Sequence, residues 1–156
     1  MFRSTGLTHQ RTLGRLLMPL YAQVRDQDRG LLIGGCGVVL SAETLVVPDM
    51  LFVSRERQHI LDDNYIEGAP DLLAEIVSSS SVRIDLVLKR AIYAKHGVRY
   101  YWIAHPVQQW IRAYELGADG SYELVAVAHK DEAFSAPPFP DLTIQLAELW
   151  DDFADA

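Results

Sequence analysis

The chain has 156 residues, of which 49% are hydrophobic and 22% are charged, and this composition is typical of a single globular domain rather than of a disordered chain. Its single cysteine, Cys36, excludes an internal disulfide framework and a cysteine-based zinc site, and no apolar run approaches the ~18 residues of a membrane-spanning helix. The formal net charge of −7, taken alone, argues against a strong nucleic-acid binder.

The N-terminal part of the chain is predicted to form one helix followed by short strands. Leucines three and four residues apart predict a helix over residues 8–24, which Pro19 should kink or split. Residues 31–40 have a strand-like composition that glycines interrupt, which indicates a turn or a bulge. Residues 44–53 are predicted to form a second pair of strands around Pro48.

The middle of the chain alternates irregular, strand and helical patterns. Residues 54–70 are polar and irregular and predict a long loop, and loops of that length often carry function. A short apolar strand over residues 71–77 precedes a helix over residues 82–96, for which Gly97 is a natural stop. Residues 98–104 are predicted to form a strand, because they are rich in β-branched and aromatic side chains.

The C-terminal third is predicted to form strands and a short closing helix. Residues 109–116 and 122–128 are predicted to form a hairpin, residues 142–144 a last short strand, and residues 145–153 one or two helical turns. This order of elements predicts an α/β (α+β) fold, a sheet with helices on its faces, in a single domain that spans residues 1–156.

Two acidic residues interrupt apolar segments and are candidates for a functional site. Glu75 lies in the predicted strand at 71–77, whose other residues are mostly apolar and predict burial on both faces. A charged carboxylate there is costly unless a cation or a metal compensates it, and the alternative is a glutamate that faces solvent on a half-exposed strand. Asp49 follows Pro48 at a point where a strand opens, and the alternative is an ordinary turn residue.

A lysine on the following helix completes a possible site. Lys89 falls inside the apolar stripe of its helix, so it either extends outward or reaches an acidic group, and an ion pair with Asp85 is the alternative. Two carboxylates on neighbouring strands can bind a hard divalent cation such as Mg²⁺. Such an ion can hold a phosphodiester oxygen and activate a water, while a lysine orients that water or stabilises transition-state charge. Asp49, Glu75 and Lys89 together therefore make a coherent phosphodiesterase site.

Several motifs in a fixed order resemble the Uma-two family of proteins classed as restriction endonucleases, within the PD-(D/E)XK nuclease superfamily. They are PD at 48–49, APDLLAEIVS at 69–78, DxxxKxxxYxxxGVxxYWI at 85–103, and FPDLTI at 139–144 followed by LAELW at 146–150. The resemblance covers roughly residues 8–150 and depends on the ordered combination, because each motif alone is weak.

The resemblance implies a restriction-endonuclease-like core, which is a central mixed β-sheet flanked by helices, and a metal-dependent endonuclease that acts on DNA. It implies that Asp49 and Glu75 are metal ligands and that the backbone carbonyl of Ile76 is a further ligand. The implied cofactor is one or two Mg²⁺ or Mn²⁺ ions. The superfamily motif has a lysine where this chain has Val77, so the resemblance implies that Lys89 takes the role of that lysine.

Three features depart from the family pattern. The family usually has an extra segment with a Gly-Glu strand ahead of the first helix, whereas this chain begins almost at the helix. SSS at 78–80 and HP at 105–106 stand where Ser-Pro-Ser and Asp-Pro are usual. All three departures leave the candidate catalytic residues in place.

Charge is unevenly distributed and points to candidate contacts with DNA. Residues 1–30 carry a local charge of +3 and residues 82–99 carry +4, whereas residues 115–156 carry −9. A positive face beside an acidic region is one interpretation, and an ordinary solvated mosaic of charges is the other. The candidates for contacts with backbone phosphates are Arg83, Arg90, Lys95 and His9. For His9, an ordinary surface histidine is the alternative.

Two further residues are given minor roles. Asp71 shares a strand face with Glu75 but lies ~13 Å from it by strand rise, so we expect an outer-shell role or a place at the sheet edge. Cys36 lies between glycines without an obvious activating partner, so we expect a buried and inert thiol.

The sequence therefore supports two classes of function. The first is a Mg²⁺- or Mn²⁺-dependent DNA endonuclease. The second is a catalytically inactive descendant of that fold, an interaction module that could form a homodimer through an exposed Trp110 or an uncovered sheet edge. Residues 1–14 contain no apolar stretch of the kind found in secretory signals, so we expect a cytoplasmic protein that does not associate with membranes.

Overall fold

A computed structural model of the protein describes residues 6–78 and 84–150, with the side chains of all of these except 84 and 85. The helices are α1 (Leu7–Asp26), a 3-10 helix (Arg55–Ile60), a π-helical segment (Ile84–Lys89) that continues directly as α2 (Arg90–Lys95), and a 3-10 helix (Leu146–Glu148). The strands are β1 (Gly30–Gly34), β2 (Val38–Ser41), β3 (Thr44–Val46), β4 (Met50–Ser54), β5 (Ile66–Glu67), β6 (Leu72–Ile76), β7 (Tyr100–His105), β8 (Trp110–Leu116), β9 (Tyr122–His129), β10 (Ala133–Ala136) and β11 (Phe139–Gln145).

The centre of the fold is a mixed sheet of six strands in the order β1-β4-β6-β7-β8-β9. Strands β6 and β7 pair in parallel, whereas the other neighbours in this sheet pair antiparallel. The parallel pair is joined through α2, as parallel neighbours need a crossover connection. Smaller sheets of order β3-β2-β5 and β10-β11 accompany it. The predicted α/β architecture with a central mixed sheet and flanking helices is therefore confirmed.

Alternate residues of the central strands build two apolar cores, one on each face of the sheet. The first core contains Ala74 and Ile76 of β6 and is covered by α1 and by the β10-β11 sheet. The second core contains Leu73 and Val77 and is covered by α2 and the β3-β2-β5 sheet. Because β6 is buried on both faces, its sequence is an almost continuous apolar run, and Glu75 is the exception.

The first helix is continuous, so the expectation that Pro19 splits it was wrong. Residues Leu7–Asp26 form one α-helix with Pro19 inside it. A proline inside a helix removes one backbone hydrogen bond and costs ~3 kcal/mol. The buried side chains of Leu16, Leu20 and Val24 pack against the sheet on either side of the proline, and their burial outweighs that cost.

The segment after α1 differs from the predicted strand and loop. Residues 31–40 are two strands, β1 and β2, which belong to different sheets. The chain turns between them at Gly35, whose φ of +65° favours glycine. Residues 54–70 are not an irregular loop, because they contain the 3-10 helix at Arg55–Ile60 and strand β5, which pairs in parallel with β2.

The C-terminal part follows the prediction with three corrections. The β8–β9 hairpin is confirmed, but β11 is longer than expected and pairs with β10, which the sequence analysis missed. The expected closing helix is a single 3-10 turn within the described residues, and its predicted end lies beyond them. Trp110 is 5% exposed because it packs in the second core, so an exposed Trp110 cannot form a dimer contact. Cys36, expected to be buried, is half-buried.

Among the described helices, none is both long and apolar enough to cross a membrane.

Candidate functional site

Asp49 and Glu75 lie side by side at one end of the central sheet. Met50 of β4 pairs antiparallel with Ala74 of β6, so residue 49 falls beside residue 75. Alternation along both strands directs the two side chains to the same face as Leu51 and Leu73, the face of the second core. The charge of Asp49 raises the pKa of Glu75, which shows that the two carboxylates act on each other.

The Asp49 carboxylate is held as an anion. Burial raises the pKa of Asp49, but hydrogen bonds from His9 and the Ile76 N–H, together with the charge of His9, outweigh burial and lower this pKa below its usual 3.8. The Ile76 N–H donates to Oδ2 at 2.7 Å, and His9 Nε2 lies 3.0 Å from the same oxygen. The Asp49 side chain is 21% exposed, so the carboxylate keeps access to solvent.

The Glu75 carboxylate is buried and costly to ionise. Burial raises its pKa from 4.5 to about 7, although Lys89 and Tyr93 lower it. The Tyr93 hydroxyl donates to Oε1 at 2.7 Å, and Lys89 Nζ lies 3.1 Å from the same oxygen. Glu75 is 2% exposed. This carboxyl group is therefore poised between its neutral and ionised forms near neutral pH.

The residues around the two carboxylates come from opposite faces of the sheet. His9 lies in the first turn of α1, which covers the first core, and its side chain contacts Asp49 at the start of β4. Lys89 and Tyr93 come from the π-helical segment and α2, which cover the second core. The site therefore occupies the end of the sheet, where both layers meet. The side chain of Asp85, the alternative partner of Lys89, lies outside the described side chains.

The donor set suits a hard divalent cation that keeps several waters. Within residues 6–78 and 84–150, no group of three or more His, Cys, Asp or Glu side chains is arranged to hold a metal ion. Two carboxylates remain, one ionised and one whose ionisation a nearby cation would favour. Mg²⁺ is commonly bound by one or two carboxylates and completes its coordination with water and substrate oxygens, so the residues present fit such an ion.

The predicted DNA-contacting residues do not form one cluster. His9 contacts Asp49 directly, so it belongs to the carboxylate site. Arg90 lies with its guanidinium 4.5 Å from the centre of the Tyr114 ring and donates to the Tyr122 carbonyl. Lys95 is exposed and lines the same depression as Arg90. Arg83, the remaining candidate, lies outside the described residues.

Asp71 lies at the opposite end of the strands from the site. Its Oδ2 accepts a hydrogen bond from the Ser54 N–H at 2.7 Å, and Arg57 lies 3.7 Å from Oδ1. These contacts join the end of β4 to the start of β6. Asp71 therefore lies at the end of a central strand, not at the expected edge of the sheet.

Two contributors to the site were missed by the sequence analysis. Tyr93 is part of the motif at 85–103 but was given no contact with Glu75. Its spacing of four residues from Lys89 was the available signal, because such a pair shares one helix face. The Ile76 N–H was not considered at all, and no sequence pattern reports which backbone donor an aspartate will reach.

Comparisons with known proteins show the family by one search and the fold by another. A family model described as "Uma2: Putative restriction endonuclease" matches residues 2–147. A solved structure from Anabaena variabilis ATCC 29413, described as a "putative nuclease belonging to DUF820", superposes with a TM-score of 0.74 at 19% sequence identity. The match covers 94% of this chain and 82% of that chain. A search of curated proteins finds no significant match.

Proposed function

We propose that this chain, which belongs to the Uma2 family, is a metal-dependent nuclease that hydrolyses phosphodiester bonds in DNA. The observation that carries the proposal is the pairing of Asp49 and Glu75 at the sheet end, with Lys89 Nζ 3.1 Å from Glu75 Oε1. These are the three residues that the resemblance singled out, and they lie on separate elements of the sequence. The fold of the Anabaena neighbour is consistent with the same interpretation.

Asp49, Glu75 and the backbone carbonyl of Ile76 would hold one or two Mg²⁺ or Mn²⁺ ions. When bound, such an ion supplies a metal-activated water at neutral pH and polarises a phosphodiester oxygen. Asp49 contributes a carboxylate that is ionised throughout the physiological range, because its pKa is lowered. Glu75 contributes a buried carboxylate that a neighbouring cation would hold in the ionised form.

Lys89 is the candidate for handling the attacking water and transition-state charge. Its ammonium group lies at the boundary of the site, 30% exposed, while its partner Glu75 is nearly inaccessible. A lysine in this position can donate to a water or to a phosphate oxygen on its solvent side while still contacting the carboxylate. Electrostatic stabilisation of developing charge by a fixed donor is commonly the largest single contribution to such reactions.

The proposed substrate is DNA, held through its phosphates. The candidates for this contact are Arg83, Arg90 and Lys95 of the region that carries the local charge of +4. Contacts of this kind position the duplex without reading its sequence, so they predict a salt-dependent affinity rather than a recognition site.

The test is a titration of Mn²⁺ into wild-type protein and into the Asp49→Asn/Glu75→Gln double variant, with and without DNA. We expect binding heat in the wild type that the double variant lacks. Glu123→Gln, which removes an exposed acid from β9, is the matched control and should bind Mn²⁺ as the wild type does.

Cleavage of single-stranded and duplex DNA is then measured with Mg²⁺ or Mn²⁺. Metal-dependent strand cleavage that Lys89→Met and the double variant abolish supports the proposal. Absence of Mn²⁺ binding in the wild type, even with DNA present, refutes it. Binding of Mn²⁺ without cleavage of either DNA form would favour the inactive interaction module instead.

A further inference from the structure

Both candidate ligand carboxylates are held through one oxygen each. Oδ2 of Asp49 receives two donors, the Ile76 N–H at 2.7 Å and His9 Nε2 at 3.0 Å. Oε1 of Glu75 also receives two donors, the Tyr93 hydroxyl at 2.7 Å and Lys89 Nζ at 3.1 Å. The hydrogen bonds from these four donors thus converge on Oδ2 and Oε1, and the two carboxyl groups also lie within hydrogen-bonding reach of each other.

We infer that His9 and Tyr93 are positioning residues, which fix the orientations of the two carboxylates that would hold a common divalent cation. The inference rests on the proposed function, because it gives these two side chains a role in the same metal site. It assigns His9 a contact with Asp49, whereas the sequence analysis gave it as a candidate for a contact with substrate phosphate or as an ordinary surface histidine.

The position of Asp49 explains why its carboxylate needs a second donor. Asp49 lies just outside β4, and its side chain is partly exposed. A hydrogen bond to one backbone N–H leaves the carboxylate free to rotate about that bond. A second donor on the same oxygen, from a helix on the other side of the sheet, removes this freedom.

His9 is suited to this task because it is itself held in place. Its side chain is 13% exposed, and it projects from the first turn of α1. Oδ2 of Asp49 also accepts a hydrogen bond from the Ile76 N–H, and we assign His9 the tautomer in which Nε2 donates to this oxygen. A nitrogen engaged in this way cannot also donate to a phosphate.

Tyr93 provides the corresponding contact for Glu75. It is fully buried, and its ring packs edge-to-face against Tyr101 with centroids 5.1 Å apart. A hydroxyl on a ring locked in the core delivers a hydrogen bond in one direction only. Outer partners of metal ligands typically contribute 10- to 100-fold to metal affinity, and we expect effects of about this size here.

The experiment measures Mn²⁺ affinity by calorimetry for His9→Ala and Tyr93→Phe, with His59→Ala and Tyr21→Phe as matched controls. His59 is an exposed residue of the 3-10 helix at Arg55–Ile60, and Tyr21 is an exposed residue of α1 that follows His9 by twelve positions. We expect the dissociation constant for Mn²⁺ to rise about 10- to 100-fold in His9→Ala and in Tyr93→Phe and to stay unchanged in both controls.

Rescue separates positioning from a structural role. His9→Gln keeps an N–H donor near the position of Nε2, and we expect its Mn²⁺ affinity to lie closer to the wild type than to His9→Ala. Should His9→Ala fail to fold, His9→Phe keeps the ring volume without the donor. Melting temperatures of all variants are measured without metal, so that a loss of affinity is not mistaken for unfolding.

The outcomes separate the two proposals. If the wild type binds Mn²⁺ and His9→Ala, His9→Phe and Tyr93→Phe bind it equally well, the positioning roles are refuted while the metal site stands. If His9→Gln loses as much affinity as His9→Ala, the donor at Nε2 is not what matters, and the role assigned to His9 is refuted. If the wild type binds no Mn²⁺, the proposed function fails and the positioning roles fail with it.

Discussion

Because Glu75 is buried, we expect the free energy of unfolding of the metal-free protein to depend on pH in an unusual way. Its pKa is raised from 4.5 to about 7 in the folded state. Between these values the folded state binds more protons than the unfolded state, so the free energy of unfolding falls as the pH rises. The contribution of protonated Glu75 to the free energy of unfolding is fully present below pH 4.5 and is lost once the pH passes 7. Asp49 does not contribute to this change, because its lowered pKa places its titration below 3.8.

The size of the effect follows from the same numbers. A difference of one pKa unit corresponds to about 1.4 kcal/mol. The raised pKa of Glu75 therefore corresponds to a loss of about 3 kcal/mol of unfolding free energy, most of it between pH 5 and pH 8. Because Glu75 is 2% exposed, solvent screening reduces this figure little.

The assay is urea unfolding in EDTA at several pH values, followed by tryptophan fluorescence. Glu75→Gln cannot ionise, so its unfolding free energy should lack the decline of about 3 kcal/mol that the wild type shows, while all other titrating groups contribute equally to both proteins. Glu123→Gln is the control and should keep the wild-type slope. A slope in Glu75→Gln equal to that of the wild type would show that Glu75 is ionised in the folded protein without cost, and the burial argument would be wrong.

Three further predictions concern the same site and the core beneath it. Lys89→Met removes the positive charge that lowers the pKa of Glu75, so the decline in stability should move to higher pH in metal-free urea titrations. Mn²⁺ at 100 times its dissociation constant should stabilise the wild type by about 2.7 kcal/mol, measured as a rise in melting temperature, whereas Asp49→Asn should gain less. Phe139→Ala, which empties a fully buried position in the first core, should cost about 3–5 kcal/mol in urea unfolding without metal, and a cost below about 1 kcal/mol would contradict the packing.

The sequence was sufficient to predict those features of the site that depend on local pattern. Glu75 was identified because a carboxylate inside an apolar strand is costly, and its burial follows from the two-sided burial of β6. Lys89 was identified because it falls in an apolar helical stripe, and the structure places its ammonium group against Glu75. In both cases the periodicity of a single element carries the information.

Features that depend on how elements meet could not be predicted. The contact between His9 and Asp49 joins residues 40 positions apart and requires the first turn of α1 to lie beside the start of β4. The π-helical segment at Ile84–Lys89 widens the helix locally, and no wheel drawn at a fixed angle per residue predicts it. The pairing of β5 with β2 was likewise hidden, because a strand of two residues has no periodicity to read.

The arrangement of the site implies that it forms only when both faces of the sheet are covered. Asp49 depends on α1 for one of its donors, and Glu75 depends on α2 and the preceding π-helical segment for both of its side-chain donors. Without α1, Asp49 would keep only the Ile76 N–H, and without α2 and the π-helical segment, Glu75 would lose both of its side-chain donors. Any ion held between the two carboxylates would therefore bind the fully packed fold more tightly than a partly opened one, and it would stabilise the docking of both helices at once.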